Sequence, residues 1–122
     1  LIATGEYTFE SGIECTRGLM DSSNPPSAIF ASNDEMAVGA INAAQEMGLN
    51  VPEDLSVAGF DDSILASRII PSLTTIRRPV RKMARLATSK LIAAIDGRTE
   101  EAQVGTVLDP ALVKRNSTRS IL

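Results

Sequence analysis

Hydrophobic and polar positions along this chain follow two periods, and the longest ordered pattern runs from Ser27 to Asp62. A short continuous apolar run, Ala28-Ile29-Phe30-Ala31, suits a buried strand. Ser32-Asn33-Asp34 follows with side chains that cap helices, and Ala37, Ala40, Ile41, Ala44 and Met47 then recur at helical spacing. Gly48 stands where a helix C-cap glycine belongs, and Val51-Pro52 prevents continuation. Leu55 to Gly59 is a second apolar run, halted by the polar pair Asp61-Asp62. Strand, helix and strand in this order predict a βαβ unit with parallel strands and a right-handed crossover. Ligands of such sheets gather beyond the carboxyl ends of the strands. Asn33 and Asp61 each lie just past such an end, so they are expected on one edge of the sheet.

The flanking pattern extends this α/β reading. Leu1 to Thr4 can form a short strand or strand end, followed by a turn at Gly5-Glu6-Tyr7. Thr8 or Ser11 can cap a helix to about Asp21, with Phe9, Ile13, Thr16, Leu19 and Met20 on its inner face. Ser22 to Pro26 is a loop by composition. Phe60 to Ser72 reads as an irregular connection with one helical turn, and Leu73 to Ile76 as a strand. After the junction Arg77-Arg78-Pro79, a helix is expected from Val80 to Asp96, closed by Gly97. Its stripe of Val80, Ala84, Ala87, Leu91 and Ile95 is apolar enough to require a packing partner. Val104 to Leu108 and Ala111 to Lys114 are expected strands, separated by Asp109-Pro110.

Composition narrows the function classes. With 122 residues, 43% of them hydrophobic, the chain suffices for one small core. No apolar run approaches the roughly 18 residues of a membrane span. The opening Leu1-Ile2 lacks an initiator Met and the regions of a signal peptide, and reads as a cut through a longer protein. Cys15 has no partner for an internal disulfide; it fits a small buried hydrophobe on a helix. The net charge of −3 is lopsided, since residues 1–62 hold 11 of the 15 acids and one base, Arg17. Six of the 12 bases fall between Arg77 and Lys90. They coincide with the amphipathic helix and have no aromatic neighbour to stack on bases, so they read as a solvated or partner-facing surface.

Catalysis finds little support. There is no histidine, hence no ordinary neutral-pH base. Phosphate-binding glycine loops, a Gly-x-Ser-x-Gly elbow and clustered metal ligands are all missing from the sequence. Asp61-Asp62 could suggest a phospho-acceptor or Mg²⁺ site, but the lysine and acidic partners do not follow in the expected order. No cofactor and no metal are expected. Polyol ligands instead need carboxylates and amides for paired hydroxyls and an aromatic ring for the apolar face. Asp61 offers two acceptor oxygens, Asn33 a donor and an acceptor, and Tyr7 a ring that could project over the same edge. Each has a plainer role available: Asn33 as a helix cap, Asp61 or Asp62 as a turn residue, Tyr7 as packing. Met36 and Met47 read as core.

The string ASNDEMAVGAINAAQEMGLNVPEDLSVAGFDD, with Pro71 to Ile76 after it, resembles the effector-binding core of the lac repressor–galactose repressor family. The resemblance runs from GEYTFESG at Gly5 to LVKRNST at Thr118. These are bacterial transcription regulators whose effector domain has two α/β lobes with a ligand cleft between them. The resemblance implies an incomplete, parallel-sheet lobe of this periplasmic-binding-protein-like fold. Residues 1–77 and 110–122 would form part of the C-terminal lobe and residues 78–109 would belong to the N-terminal lobe. The first strand and helix of the C-terminal lobe, most of the N-terminal lobe and the DNA-binding head would lie outside the sequence. It implies ligand contacts at Tyr7, Asn33 and Asp61, with Arg78 often lining the cleft. The expected partners are a small-molecule effector, a sugar or sugar derivative, and operator DNA through the missing head only. A cytoplasmic homodimer without membrane contact is also implied. The other functions weighed are a periplasmic sugar-binding protein of a transporter, which shares the fold, and an unrelated α/β enzyme.

Overall fold

The computed structural model describes residues 1–98 and 105–120. They fall into two compact units, Leu1–Arg77 with Leu112–Leu122, and Arg78–Ala111. In chain order the elements are α1 Phe9–Met20, β1 Ala28–Phe30, α2 Asp34–Glu46, β2 Ser56–Asp61, α3 Ile64–Arg68, β3 Thr74–Arg77, α4 Val80–Ile95 and β4 Ala111–Val113. The four strands form one sheet in the order β1-β2-β3-β4. β1 pairs parallel with β2 and β2 parallel with β3, so the predicted βαβ unit is present.

The caps that the sequence offers are used. Thr8 starts α1 as half of a capping box, its hydroxyl accepting from Ser11 N–H while the Ser11 hydroxyl accepts from the Thr8 N–H. Asn33 caps α2, its side-chain oxygen accepting from Met36 N–H. Gly48 follows α2 at φ +77°, a conformation that an L side chain resists. The core gathers Ala31, Met36, Ala37, Ala40, Ile41 and Ala44 with Leu55, Val57, Ala66 and Leu73. Fully burying each of Leu55, Val57 and Leu73 contributes about 1.5–3 kcal/mol.

Two glycines let α1 and α2 approach at backbone distance. A Cβ on Gly12 would stand 2.3 Å from the Met36 carbonyl oxygen, and one on Gly39 would stand 2.2 Å from that of Phe9. The contact is reciprocal, each helix placing its glycine against the other's backbone. Arg17 and Glu46 add an exposed ion pair at 2.6 Å across the same helices, worth little beside the packing.

The structure corrects several expectations. β1 is not a buried strand. Among the described residues it has β2 on one side only, its burial alternates exposed, intermediate, exposed, and Phe30 is 65% exposed. Met36 is core as expected, but Met47 sits at the C-cap of α2 and is 44% exposed. Leu1 to Thr4 form no strand, since the sheet's ladders do not include them. Val104 lies outside the described residues, and Gly105 to Leu108 form no strand; a β-prone run needs a ladder partner to become one. β2 continues two residues beyond Gly59, to Asp61.

The second unit is described by its helix. α4 begins after Pro79 and ends at Ile95, with Asp96 as its C-cap and Gly97 following at φ +76°. Its apolar stripe is exposed, with Leu91 at 63% and Ile95 at 76%; Ala93 is the residue of α4 that is buried.

Candidate functional site

β1 ends at Phe30, which pairs in parallel register with Ala58, and β2 runs three residues further, to Asp61. Asn33 and Asp61 each stand three residues past that register pair, so both lie on the same edge. Gly59 allows α2 to start close above β2, since a Cβ there would stand 2.6 Å from Asp34 Oδ1.

Asn33 uses both ends of its amide. Its oxygen caps α2, and its Nδ2 donates to the Tyr7 carbonyl at 2.9 Å. An amide has a second N–H and a second lone pair, so capping does not exhaust it. Tyr7 is thereby joined to Asn33 across 26 positions of sequence, with φ 62° and a side chain 64% exposed. Asp61 closes β2 with φ 127°, opposite Arg77 in the β2–β3 register. Asp62 follows with φ 58°. Arg78 is exposed, comes one residue after β3, and begins the second compact unit. The structure thus brings Tyr7, Asn33 and Asp61 to one edge of the first unit.

Two carboxylates next to these positions are structural anchors. Asp34 is 1% exposed; its Oδ1 accepts from the Thr75 hydroxyl at 2.5 Å and its Oδ2 from Ser63 N–H at 2.6 Å. One side chain therefore ties the start of α2 to β3 and to the loop after Asp62. Asp62 is nearly buried and holds Arg115 Nη2 on Oδ1 and Arg77 Nε on Oδ2, each at 2.5 Å. Burial alone would push its carboxyl up, but the two guanidinium hydrogen bonds and their charges prevail and hold it below the usual carboxylate range.

Sequence reasoning missed Asp34 and Arg115. Asp34 was legible in principle: it lies on the helical face of Ala37, Ile41 and Ala44, which points into the core. Arg115 reaches Asp62 across 53 positions and leaves no local signal.

A cleft of about 760 Å³ opens elsewhere, between α1 and the outer edge of β1. Leu1, Ile2, Leu19 and Phe30 are among its walls, and Tyr7, Asn33 and Asp61 are not. This cleft is therefore separate from the polar edge. Among the described residues no group of acids and cysteine could hold a metal ion. No described helix is long and apolar enough to cross a membrane.

Comparison with known proteins fixes the family. The sequence profile of the periplasmic binding protein-like domain matches residues 1–118. A probable HTH-type transcriptional repressor of Bacillus subtilis (strain 168), ExuR, is 44% identical over 81% of this chain, which spans 30% of that relative. The transcriptional regulator CelR in complex with cellobiose superposes with a TM-score of 0.89 at 35% identity, over 96% of this chain and 36% of that one. The lac repressor dimer bound to operator and the anti-inducer ONPF superposes with a TM-score of 0.86 at 35% identity, over 95% of this chain and 40% of that one. These relatives are transcription regulators rather than enzymes, and the chain spans about a third of their length. A profile match over nearly every residue and a shared α/β lobe lead to one conclusion: the chain belongs to the periplasmic binding protein-like domain family, in the form that the lac repressor and its relatives carry.

Proposed function

We propose that this chain is the effector-sensing part of a bacterial DNA-binding transcription regulator. The effector is a sugar or sugar derivative, held at the carboxyl edge of the sheet. Asp61 accepts from a hydroxyl pair, Asn33 donates and accepts, and the exposed Tyr7 ring covers the apolar face of the ligand. Arg78 is a fourth contact. The observation that carries this reading is the convergence of Tyr7, Asn33 and Asp61 at one edge, through the Asn33–Tyr7 hydrogen bond and the parallel β1–β2 register, in which Asn33 and Asp61 each stand three residues beyond the pair Phe30↔Ala58. The complex of the related CelR with cellobiose supports a sugar as the ligand class.

In this reading residues 1–77 and 110–122 belong to the C-terminal lobe, and residues 78–109 to the N-terminal lobe of a larger effector domain. Effector binding favours one relative orientation of the lobes. In a cytoplasmic homodimer that orientation sets the spacing of two DNA-binding heads and so the affinity for operator. The ligand acts only through its different affinity for the two orientations. The exposed stripe of α4 supports a larger assembly, because leaving Val80, Leu91 and Ile95 in water forgoes roughly 1.5–3 kcal/mol each. The test is a thermal-shift screen of mono- and disaccharides, cellobiose included, on the full-length protein. A sugar that raises the melting temperature and changes operator retention in a gel shift supports the reading. Stabilisation by none of them, at millimolar concentrations on the order of weak sugar affinities, removes it.

A further inference from the structure

Asp61 and Asp62 are consecutive residues with positive φ, 127° and 58°, and neither is glycine. Such backbone persists only where the surroundings over-determine it. The surroundings here are specific. Both oxygens of the nearly buried Asp62 carboxylate are taken by guanidinium groups, Arg77 from the neighbouring strand and Arg115 from the C-terminal segment. Arg77 is 59% exposed, whereas the Arg115 side chain is only 18% exposed.

Arg115 is itself bolted down. Its other arm, Nη1, donates to the Leu73 carbonyl at 2.7 Å, and its backbone N–H donates to the Thr74 hydroxyl at 2.9 Å. The next residues knit the starts of β2 and β3: Ser117 is fully buried, its hydroxyl donates to the Val57 carbonyl at 2.5 Å, and Thr74 N–H donates to that hydroxyl at 2.8 Å. A rigid arginine is thus aimed at the residue after Asp61.

We infer that Arg115 is a positioning residue, whose grip on Asp62 fixes the backbone at Asp61 and so the direction in which the Asp61 carboxylate leaves the sheet edge. A carboxylate that accepts from two ligand hydroxyls must hold its direction to within roughly 10–20°. Without the grip, Asp61 and Asp62 relax toward ordinary negative φ, which swings the Asp61 side chain. Lysine does not substitute for Arg115, since a single ammonium cannot span Leu73 and Asp62 with fixed fork geometry. The inference concerns conformation first, and its consequence for ligand binding rests on the proposed function above.

The experiment separates the two. Arg115→Met, Arg115→Lys and Asp62→Asn are prepared in the ¹⁵N-labelled full-length protein, and the backbone couplings and amide shifts of Asp61 and Asp62 are read without ligand. All three variants are expected to change these signals while Met36 and Ala37, at the start of α2, keep theirs; Arg115→Lys lies between wild type and Arg115→Met. Unchanged couplings at Asp61 in folded Arg115→Met and Asp62→Asn overturn the inference. Should Arg115→Met fail to fold, Asp62→Asn decides alone, because it keeps the side-chain volume. Cellobiose is then titrated as the probe. If the competent Asp61 orientation falls to about a tenth of the population, its affinity weakens about tenfold. A wild-type protein that ignores cellobiose counts against that sugar under the proposed function, and leaves the coupling readout to decide the role of Arg115.

Discussion

Replacing Asp34 with alanine tests how the start of α2 is held to the sheet. The carboxylate is 1% exposed and accepts two hydrogen bonds, at 2.5 Å from Thr75 and 2.6 Å from Ser63. Hydrogen bonds to a charged group contribute roughly 1.5–3 kcal/mol each, and removing the acceptor strands a Ser63 N–H and a Thr75 hydroxyl beneath α2. An acid in the first turn of a helix adds about 0.3–1 kcal/mol. Compensation by water entering the space lowers the total, so Asp34→Ala is expected to cost about 3–5 kcal/mol. Asp34→Asn, which keeps one acceptor and turns an amide N–H toward a donor, should cost about 1–3 kcal/mol. The assay is urea denaturation followed by circular dichroism, with the m-value as the check that both states keep their compactness. Thr75→Val completes a double-mutant cycle, with a coupling to Asp34 of at least about 1 kcal/mol. A loss below about 1 kcal/mol for Asp34→Ala would refute the claim that this carboxylate anchors the edge on which Asn33 and Asp61 stand.

Two glycines of α1 give opposite expectations. Gly12→Ala gains up to about 1 kcal/mol of helix propensity but drives a methyl into the Met36 backbone, so a net loss of about 1–3 kcal/mol is expected from thermal melts. Gly18→Ala meets nothing within 4 Å and should stabilise by about 0.5–1 kcal/mol; equal effects at both sites would contradict the close-packed helix pair. Acid should weaken the Asp62 cluster in a defined window. The folded carboxyl lies below its ordinary 3.8, so its contribution is complete above that value and is lost as pH falls through the lowered one. Urea midpoints measured from pH 6 downward should therefore fall less steeply below about pH 4 for Asp62→Asn than for wild type, and parallel curves would refute the pairing.

Local patterns carried the central unit into the sequence reading. Asn33, Gly48 and the alanine-rich spacing of α2 bracket the helix correctly, because caps and periodicity are properties of neighbouring residues. Asp61 was legible as a strand-end residue for the same reason. What stayed hidden depends on partners far along the chain. Ala28 to Phe30 are apolar enough for a central strand, and among the described residues the sheet order pairs them on one side only. Nothing around Arg115 or Ser117 tells that these residues cross to Asp62, Leu73 and Val57. The run at Gly105 to Leu108 shows the converse, β-prone residues without a ladder. Propensity describes a residue's willingness, and pairing decides the outcome.

Isothermal titration of the full-length protein with the sugar that the thermal screen selects, compared between wild type and Asp61→Asn, tests the central claim most directly. Asp61→Asn keeps the shape of the side chain and removes the charged acceptor, whose hydrogen bonds contribute about 1.5–3 kcal/mol. The account predicts a 10- to 100-fold or greater loss of affinity, roughly what that energy converts to, with the melting temperature of the unliganded protein nearly unchanged. An unaltered dissociation constant in a folded Asp61→Asn protein would contradict it and remove the carboxyl end of β2 from the effector site.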